Sequence, residues 1–244
     1  MLLVRERTSE GYYAIKRISK RRALHQHQNL QVERELSVHG HLRHPNVIRM
    51  YAWFHDVDSI HMVTEFAEVT VSGLLQAKYV NGIPEPLCRR LGKQLGCGLS
   101  YLHSLHIIHR DLKPSNLFLV RSSDGFALKI GDFGCCVHTV VSDLRQSVCG
   151  SVPYMSPEMV GTGRHSFPVD IWSLGVSLHE MLTNSLPFDG AEPMAIYRQI
   201  VREVYAPFVG ATEAASELLK ACLRKDPLQR PTAADLLKSF DFFN

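Results

Sequence analysis

The sequence predicts an α+β fold in two lobes, a small β-rich lobe over residues 1–67 and a larger helical lobe over residues 68–244. Short apolar runs separated by polar turns occupy the first third of the chain. Stretches of helix formers bounded by Pro or Gly occupy the remainder. The join falls near residues 65–68, and the cleft between two such lobes is a common place for a ligand to bind.

The composition is that of an ordinary globular protein. The 244 residues are 45% hydrophobic and 21% charged with a net charge of +3, which favours neither disorder nor binding to nucleic acid or membranes. The six cysteines contain no C-x-x-C pair, so we expect no disulfide framework and a reducing compartment. The N-terminus lacks a signal-peptide core and no apolar run reaches spanning length, so we expect a cytoplasmic or nuclear protein.

The small lobe is predicted to contain four strands and one helix. The candidate strands are residues 2–7, 12–18, 47–54 and 59–66. Polar turns at residues 8–11 and 55–58 separate the members of each pair. Residues 23–42 are rich in helix formers, and this helix must end before Pro45, because the residue preceding a proline disfavours helical geometry.

The large lobe is predicted to be mostly helical. The candidate helices are residues 86–106, 168–184, 192–204, 212–223 and 232–240. Thr232 follows Pro231 and precedes Asp235 by three residues, a spacing that fits a helix start, although Asp is a weaker capping-box partner than Glu or Gln.

Three polar residues are candidates for chemistry in the predicted cleft. Asp111 and Asn116 lie five residues apart in a segment that contains Pro114 and is bounded by apolar runs. Asp132 follows another apolar run, residues 127–130, at a predicted strand end. Carboxylate and amide oxygens suit Mg²⁺, so the sequence predicts a metal and phosphate site.

These residues belong to two motifs that resemble those of protein kinases. The run from His109 to Asn116, His-Arg-Asp-Leu-Lys-Pro-Ser-Asn, matches the catalytic loop, and Asp132-Phe133-Gly134 matches the metal-binding motif. The resemblance implies the bilobal protein kinase fold, with Asp111 as acceptor of the substrate hydroxyl proton and Asn116 and Asp132 as Mg²⁺ ligands. Lys113 is typical of the Ser/Thr class, in which it lies beside the γ-phosphate of ATP.

The resemblance also implies an ATP-binding set in the small lobe and at the join. The Tyr-Ala-Ile-Lys run ending at Lys16 looks like the strand that carries the phosphate-anchoring lysine, and Glu35 is favoured over Glu33 as its partner. Thr64 is the expected gatekeeper. The implied nucleotide-binding residues are Lys16, Glu35, Glu65, Phe66, Ala67, Ser115, Asn116 and Asp132.

Further family positions lie downstream. Ser156-Pro157-Glu158 occupies the position of the family's Ala-Pro-Glu motif, with Ser in place of Ala. The resemblance therefore implies that Glu158 pairs with Arg230. Asp170 resembles the buried aspartate that braces the catalytic loop. Phe133, Met50 and Trp172 are expected in the core, and most of the thirteen histidines are expected to be solvated or capping residues.

Within the kinases, residues 40–51 and the Phe-His-Asp at residues 54–56 resemble the Aurora family. That resemblance implies protein Ser/Thr substrates, an activating partner protein on the small lobe, and a spindle or centrosome location. Ser147 occupies the position of the activating phosphothreonine, and its phosphate would pair with Arg110.

One feature departs from the family. The sequence contains no G-x-G-x-x-G loop ahead of Lys16, nor the strand that normally opens the small lobe. Loss of that lid over the phosphates would loosen the nucleotide. Two hypotheses follow, an ATP- and Mg²⁺-dependent Ser/Thr kinase, and a kinase-fold binding module with weak phosphotransfer; the complete catalytic set favours the enzyme.

Overall fold

The computed structural model describes residues 1–7, 11–25, 29–123, 125–139, 149–161 and 166–243, without the side chains of residues 25, 29 and 30. Its strands are β1 Leu2–Arg5, β2 Tyr12–Ser19, β3 Met50–His55, β4 Ser59–Glu65, β5 Val69–Thr70, β6 Ile107–Ile108, β7 Leu117–Ser122, β8 Gly125–Ile130 and β9 Val137–His138. Its helices are α1 Lys20–His25, α2 Asn29–His39, α3 Val71–Ala77, α4 Glu85–Ser104, α5 Pro157–Gly161, α6 Pro168–Thr183, α7 Pro193–Arg202, α8 Glu213–Cys222 and α9 Ala233–Ser239. The β-rich N-terminal part and the helical C-terminal part agree with the predicted α+β fold.

The N-terminal sheet is antiparallel, with the strand order β1-β2-β4-β3. Leu2 pairs with Ile15, and Lys16 pairs with Met62, so Lys16 lies on an interior strand with hydrogen-bonded neighbours on both sides. A register shift between Met50 and Ala52 interrupts the outer pair, β3 and β4. Because an interior strand is held on both edges, Lys16 has a well-defined position for contacts beneath the sheet.

The helix predicted over residues 23–42 differs from the structure at both ends. Its described parts are α1 and α2, and residues 26–28 lie outside the described residues. Helix α1 starts three residues earlier than predicted, directly where β2 ends, with the backbone N–H of Arg22 donating to Ser19 Oγ at 3.3 Å. Helix α2 ends at His39, just before Gly40, since glycine is a poor helix former.

Two small sheets connect the catalytic segments of the large lobe. In the first, Leu117 pairs with Ile130, which brings the segment before β7 close to the segment after β8. In the second, Ile107 pairs with His138. The predicted strand at residues 47–54 begins only at Met50, since Val47 instead forms an isolated parallel bridge with Ile130. These pairings bring residues 109–116 and 131–136 together at one end of the sheets.

The core of the large lobe surrounds α4 and α6. Trp172 is fully buried and stacks on Phe188 with ring centroids 5.4 Å apart. The expected burial of Phe133, Met50 and Trp172 is confirmed. Thr232 also forms the predicted capping box with Asp235 at the start of α9. No described helix combines the length and the apolar character that crossing a membrane requires.

Candidate active site

A cavity of about 580 Å³ lies between the N-terminal sheet and the start of β7, a volume typical of small-ligand sites. Its lining combines apolar side chains with charged ones, and includes Ala14, Ile48 and Phe118. The eight residues predicted from the resemblance to bind nucleotide all line it: Lys16, Glu35, Glu65, Phe66, Ala67, Ser115, Asn116 and Asp132.

Lys16, Glu35 and Asp132 form a charged cluster inside this cavity. Lys16 Nζ donates to Glu35 Oε1 at 2.6 Å and Oε2 at 2.8 Å, and to Asp132 Oδ1 at 3.1 Å. Glu35 is only 4% exposed. Burial alone lowers the pKa of Lys16, but the two carboxylates outweigh it and hold the pKa above its ordinary value. The cluster thus pairs one ammonium group with two carboxyl groups.

The two carboxylates respond differently to their surroundings. Burial raises the pKa of Glu35, although Lys16 opposes the shift. Burial also acts to raise the pKa of Asp132, but Lys16 and its hydrogen bond prevail and the pKa falls below its ordinary value. Asp132 therefore stays ionised at neutral pH, as a metal ligand must.

Asp111 accepts four hydrogen bonds from three donor groups on the other side of the cleft. Lys113 Nζ donates to Oδ2 at 2.8 Å, and Asn116 Nδ2 donates to Oδ2 at 3.0 Å and to the backbone oxygen at 2.8 Å. The backbone N–H of Ser151 donates to Oδ1 at 2.9 Å. Lys113 Nζ also donates to Ser151 Oγ at 2.5 Å. Each carboxylate oxygen therefore accepts at least one hydrogen bond, which fixes the orientation of the side chain.

Asp170 braces the loop that carries Asp111, as expected. Its Oδ2 accepts from the backbone N–H of His109 and its Oδ1 from that of Arg110, both at 2.8 Å, while His103 Nε2 lies 2.9 Å from Oδ2. Burial acts to raise the pKa of Asp170, but these hydrogen bonds and the histidine charges lower it. The brace holds a strained turn, since Arg110 has a φ of 68°.

Asp132 has the same unusual backbone, with a φ of 63°. A non-glycine residue rarely adopts left-handed geometry, and such residues cluster at functional sites. Phe133, the next residue, is fully buried between the rings of His39 at 4.7 Å and His109 at 5.2 Å. This packing anchors the segment so that Asp132 faces the cavity with Lys16.

His39 is an exception to the expectation that most of the histidines are solvated or capping residues. His39 is 2% exposed, and its Nε2 lies 2.6 Å from the carbonyl oxygen of Ile48. Burial lowers its pKa to about 4, so the ring is neutral at physiological pH. The signal that could have found it is its position four residues after Glu35, which places both on one face of α2. Ser151 was also missed, because no local motif reveals its contact with Asp111.

The predicted pairing of Glu158 with Arg230 is confirmed. Arg230 Nη1 and Nη2 donate to the two Glu158 oxygens at 2.7 and 2.8 Å, a bidentate contact. Arg230 also lies over the ring of Trp172, with its guanidinium carbon 5.1 Å from the centroid. The pair ties the segment after the catalytic loop to the end of the helical lobe.

The expectation that the cysteines form no disulfide was wrong at one pair. Cys135 and Cys149 are joined by a disulfide with their Cα atoms 5.8 Å apart. They lie 14 positions apart in a sequence with no C-x-x-C motif, so only the fold brings them together. Ser147, the predicted phosphorylation site, lies outside the described residues.

The cavity residues fit a magnesium ion bound to phosphate oxygens. The amide nitrogen of Asn116 donates to Asp111, which leaves its amide oxygen as the group to face a cation. Asp132 supplies a carboxylate with a lowered pKa. Both are the hard oxygen ligands that Mg²⁺ prefers.

Comparison with known proteins identifies the family. The protein kinase domain family matches residues 1–242. The serine/threonine-protein kinase Aurora-2 of Arabidopsis thaliana is 34% identical over 97% of this chain and 82% of its own length. The Aurora/IPL1-related protein kinase 2 of Caenorhabditis elegans is 34% identical over 94% and 74%, and Aurora kinase A-A of Xenopus laevis is 35% identical over 93% and 55%. The chain therefore belongs to the protein kinase family, as an Aurora-like serine/threonine kinase.

Proposed function

We propose that the protein transfers the γ-phosphoryl group of ATP to Ser and Thr hydroxyls of proteins, with Asp111 as the group that accepts the hydroxyl proton. The observation that carries this proposal is the hydrogen bonding of Asp111. Lys113, Asn116 and the Ser151 backbone together hold a carboxylate that is 9% exposed. Phosphoryl transfer depends mainly on positioning and electrostatics, so a carboxylate held from several directions suits the reaction.

Lys113 and Lys16 supply the positive charge that the reaction needs. Lys113, already 2.8 Å from Asp111, would stabilise the transferring phosphoryl group on the substrate side. Lys16 would bind the remaining phosphates, and its contact with Glu35 keeps the ammonium group in place. Asn116 and Asp132 would hold Mg²⁺, which neutralises charge on the phosphates.

The hinge residues would hold the adenine. Glu65, Phe66 and Ala67 follow β4 and line the cavity, with Ser115 on its opposite side. Glu65 is itself fixed, since Lys129 Nζ lies 2.9 Å from its Oε1 and its backbone N–H donates to the Arg49 carbonyl at 2.8 Å. A strand end held in this way presents its backbone groups to a flat base.

The test compares Asp111→Asn with the wild-type protein, using labelled ATP, Mg²⁺ and a basic Ser/Thr protein substrate. Loss of a general base typically costs about 100-fold or more in rate. Asp58→Asn is the matched control, because it makes the same chemical change at an exposed position in the β3–β4 turn. Equal rates for the wild type and Asp111→Asn, or none from either, would favour the kinase-fold binding module instead.

The edge strand β3 of the N-terminal sheet supports the proposal of an activating partner protein. Tyr51, Trp53 and Phe54 on the edge strand β3 are each about half exposed, at 47%, 49% and 50%. Exposed aromatic clusters of this kind mark protein interaction sites. Trp53→Ala should lower the stimulation by a candidate activator and leave the basal rate unchanged, and the resemblance to Aurora kinases makes cell-division proteins the first candidates.

A further inference from the structure

The Cys135–Cys149 disulfide lies beside three parts of the catalytic machinery. Cys135 directly follows Asp132-Phe133-Gly134, and its carbonyl oxygen accepts from Arg110 Nε at 2.6 Å. Cys149 precedes Ser151 by two residues, and Ser151 contacts Asp111 and Lys113. The bond thus closes a loop whose two ends adjoin the metal-binding segment and the catalytic base.

A helix of the small lobe also reaches this disulfide. Gln31 of α2 places its Nε2 3.8 Å from Cys149 Sγ, within the range of a weak sulfur hydrogen bond. The same helix carries Glu35, which pairs with Lys16. The disulfide therefore contacts α2, the helix that positions Lys16 through Glu35.

Exposure separates this pair from three of the four other cysteines. Cys135 and Cys149 are half-buried, so an oxidant in solution reaches their neighbourhood. Cys88, Cys136 and Cys222 are buried, and burial raises the pKa of each thiol, which lowers its fraction of reactive thiolate. Cys97 is half-buried but belongs to α4.

We propose that Cys135 and Cys149 are a reversible redox site, oxidised by peroxides, whose disulfide holds the substrate-binding side of the catalytic loop in its assembled geometry. The effect on phosphotransfer rests on the proposed function, whereas the disulfide chemistry does not. The assembled geometry coexists with the bond, because the Lys16–Glu35 pair and the Ser151–Asp111 contact are both formed in the disulfide state.

The chemistry balances with hydrogen peroxide as oxidant. One thiolate attacks a peroxide oxygen, the O–O bond breaks, and a sulfenic acid and hydroxide form. The second thiolate attacks the sulfenic sulfur, forms the S–S bond and expels hydroxide. Two thiols lose two protons and two electrons, and the peroxide becomes two water molecules. A dithiol reductant returns the pair to thiols by exchange.

Trypsin allows the bond to be mapped directly. Cleavage after Lys129, Arg145 and Arg164 places Cys135 in peptide 130–145 and Cys149 in peptide 146–164. The folded protein is reduced, desalted, treated with hydrogen peroxide, blocked with N-ethylmaleimide and digested without reductant. We expect the two peptides to appear linked in the peroxide sample and separate after reductant is added.

Variants show which sulfur atoms form the link. Peptide 130–145 also contains Cys136, so the mapping is repeated in Cys136→Ala, which should retain the link. Cys135→Ser and Cys149→Ser should each lose it, and Cys97→Ser, the half-buried control, should retain it. The thermal unfolding of each variant under reducing conditions checks that it folds. A link through Cys136, or no link in the peroxide-treated wild type, would overturn the proposal.

A second measurement tests the effect on phosphotransfer. Binding at one site commonly changes the affinity of a coupled site by about 5- to 150-fold. We expect a value at the low end of this range, so the KM for protein substrate should be about fivefold lower in the oxidised form than in the reduced form. The KM for ATP should change less, since Cys149 adjoins Ser151 on the substrate side. Cys149→Ser should show the reduced value with or without peroxide.

The outcomes separate the two proposals. A mapped link with equal KM values in both redox states would overturn the regulatory effect. A mapped link with no phosphotransfer in either state would overturn both the proposed function and the effect on it, and would leave the redox site in place. If the peroxide-treated wild type shows no linked peptides but still transfers phosphate, only the proposal of a redox site is overturned.

Discussion

Gly150 lies directly against the backbone of Arg110. Its φ is 117°, and a Cβ added to it would lie 2.6 Å from the Arg110 carbonyl oxygen. Two constraints thus coincide at one position, a backbone conformation that side chains rarely adopt and a contact too close for any carbon atom. Because Ser151 follows and binds Asp111, the close approach of Gly150 sets the distance between the substrate-side segment and the catalytic loop.

Gly150→Ala should therefore weaken both folding and substrate binding. A residue held in a disfavoured backbone region costs about 1–3 kcal/mol, and here the backbone of Arg110 must also move. We expect a lower Tm and a higher KM for protein substrate, with the KM for ATP less affected. Thermal unfolding and steady-state kinetics measure both.

Gly161→Ala is the control for this change. Gly161 ends α5, and an added Cβ there would meet nothing within 4 Å. Alanine is the better helix former by about 1 kcal/mol, so its Tm should be unchanged or slightly higher. If Gly150→Ala behaved like Gly161→Ala, the close contact with Arg110 would have no energetic consequence.

Glu35→Gln should greatly reduce phosphotransfer. The substitution keeps the size of the buried side chain but removes the charge that Lys16 contacts through both oxygens. Of its two charged partners, Lys16 would then keep only Asp132, at 3.1 Å. Loss of one preorganised electrostatic contact typically costs about 100-fold in kcat, measured here with saturating ATP and Mg²⁺.

Glu33→Gln provides the matched control for that experiment. Glu33 lies on the same helix, two residues away, and is exposed. Its removal changes the net charge by the same amount and leaves the Lys16 contact in place. Similar losses in the two variants would indicate that the charge of α2, rather than the Lys16–Glu35 pair, supports activity.

The residues of the catalytic loop and of the metal-binding motif could be predicted from the sequence. Asp111, Asn116 and Asp132 lie in short motifs whose residue types and spacing are local, so they could be identified without a structure. The strands of the N-terminal sheet and the long helices were likewise predictable from their apolar patterns and flanking Pro or Gly. The catalytic roles of these residues stay predictions until the variants are measured.

Contacts between distant segments could not be predicted in this way. Ser151 reaches Asp111 across 40 positions, and Cys135 reaches Cys149 across 14. The ring of His39 packs on Phe133, which belongs to the other lobe. In each case the pairing is a property of the tertiary fold, and the local sequence around either partner would suit an exposed loop or helix equally well.

Protonation of buried His179 should destabilise the protein in acid. The ring lies edge-on to Tyr205 and Phe208, and burial lowers its pKa to about 4 from an ordinary value of 6.5. Between these values the unfolded state binds more protons, so stability is complete above pH 6.5 and falls as the pH drops towards 4. One pKa unit corresponds to about 1.4 kcal/mol, which gives a loss of at most about 3 kcal/mol.

The measurement is the free energy of unfolding by urea at several pH values. His179→Gln should flatten the curve between pH 6.5 and 4, although His39, with a pKa near 4, retains its own contribution. His41→Gln, at an exposed position, should follow the wild-type curve. Parallel curves for His179→Gln and the wild type would mean that the ring is not kept neutral by the fold.

The largest loss of stability is expected at Arg230. All five of its guanidinium N–H groups are used: two donate to Glu158, and the others to the carbonyl oxygens of Pro168, Arg224 and Lys225. Lysine has three donors on one nitrogen and cannot reproduce this fork. Arg230→Lys should therefore lose most of what Arg230→Ala loses, about 3–5 kcal/mol for breaking a buried pair.

An exposed ion pair of the same type separates burial from charge. Arg121 Nε lies 3.3 Å from Glu68 Oε1, and the arginine side chain is 79% exposed. Surface pairs contribute about 0–1 kcal/mol, so Arg121→Ala should shift the urea midpoint little. Raising the salt concentration should reduce that small effect further and leave the Arg230 effect almost unchanged, because buried pairs are poorly screened. If both arginines responded to salt alike, the Arg230–Glu158 pair would be acting as a surface interaction despite its burial.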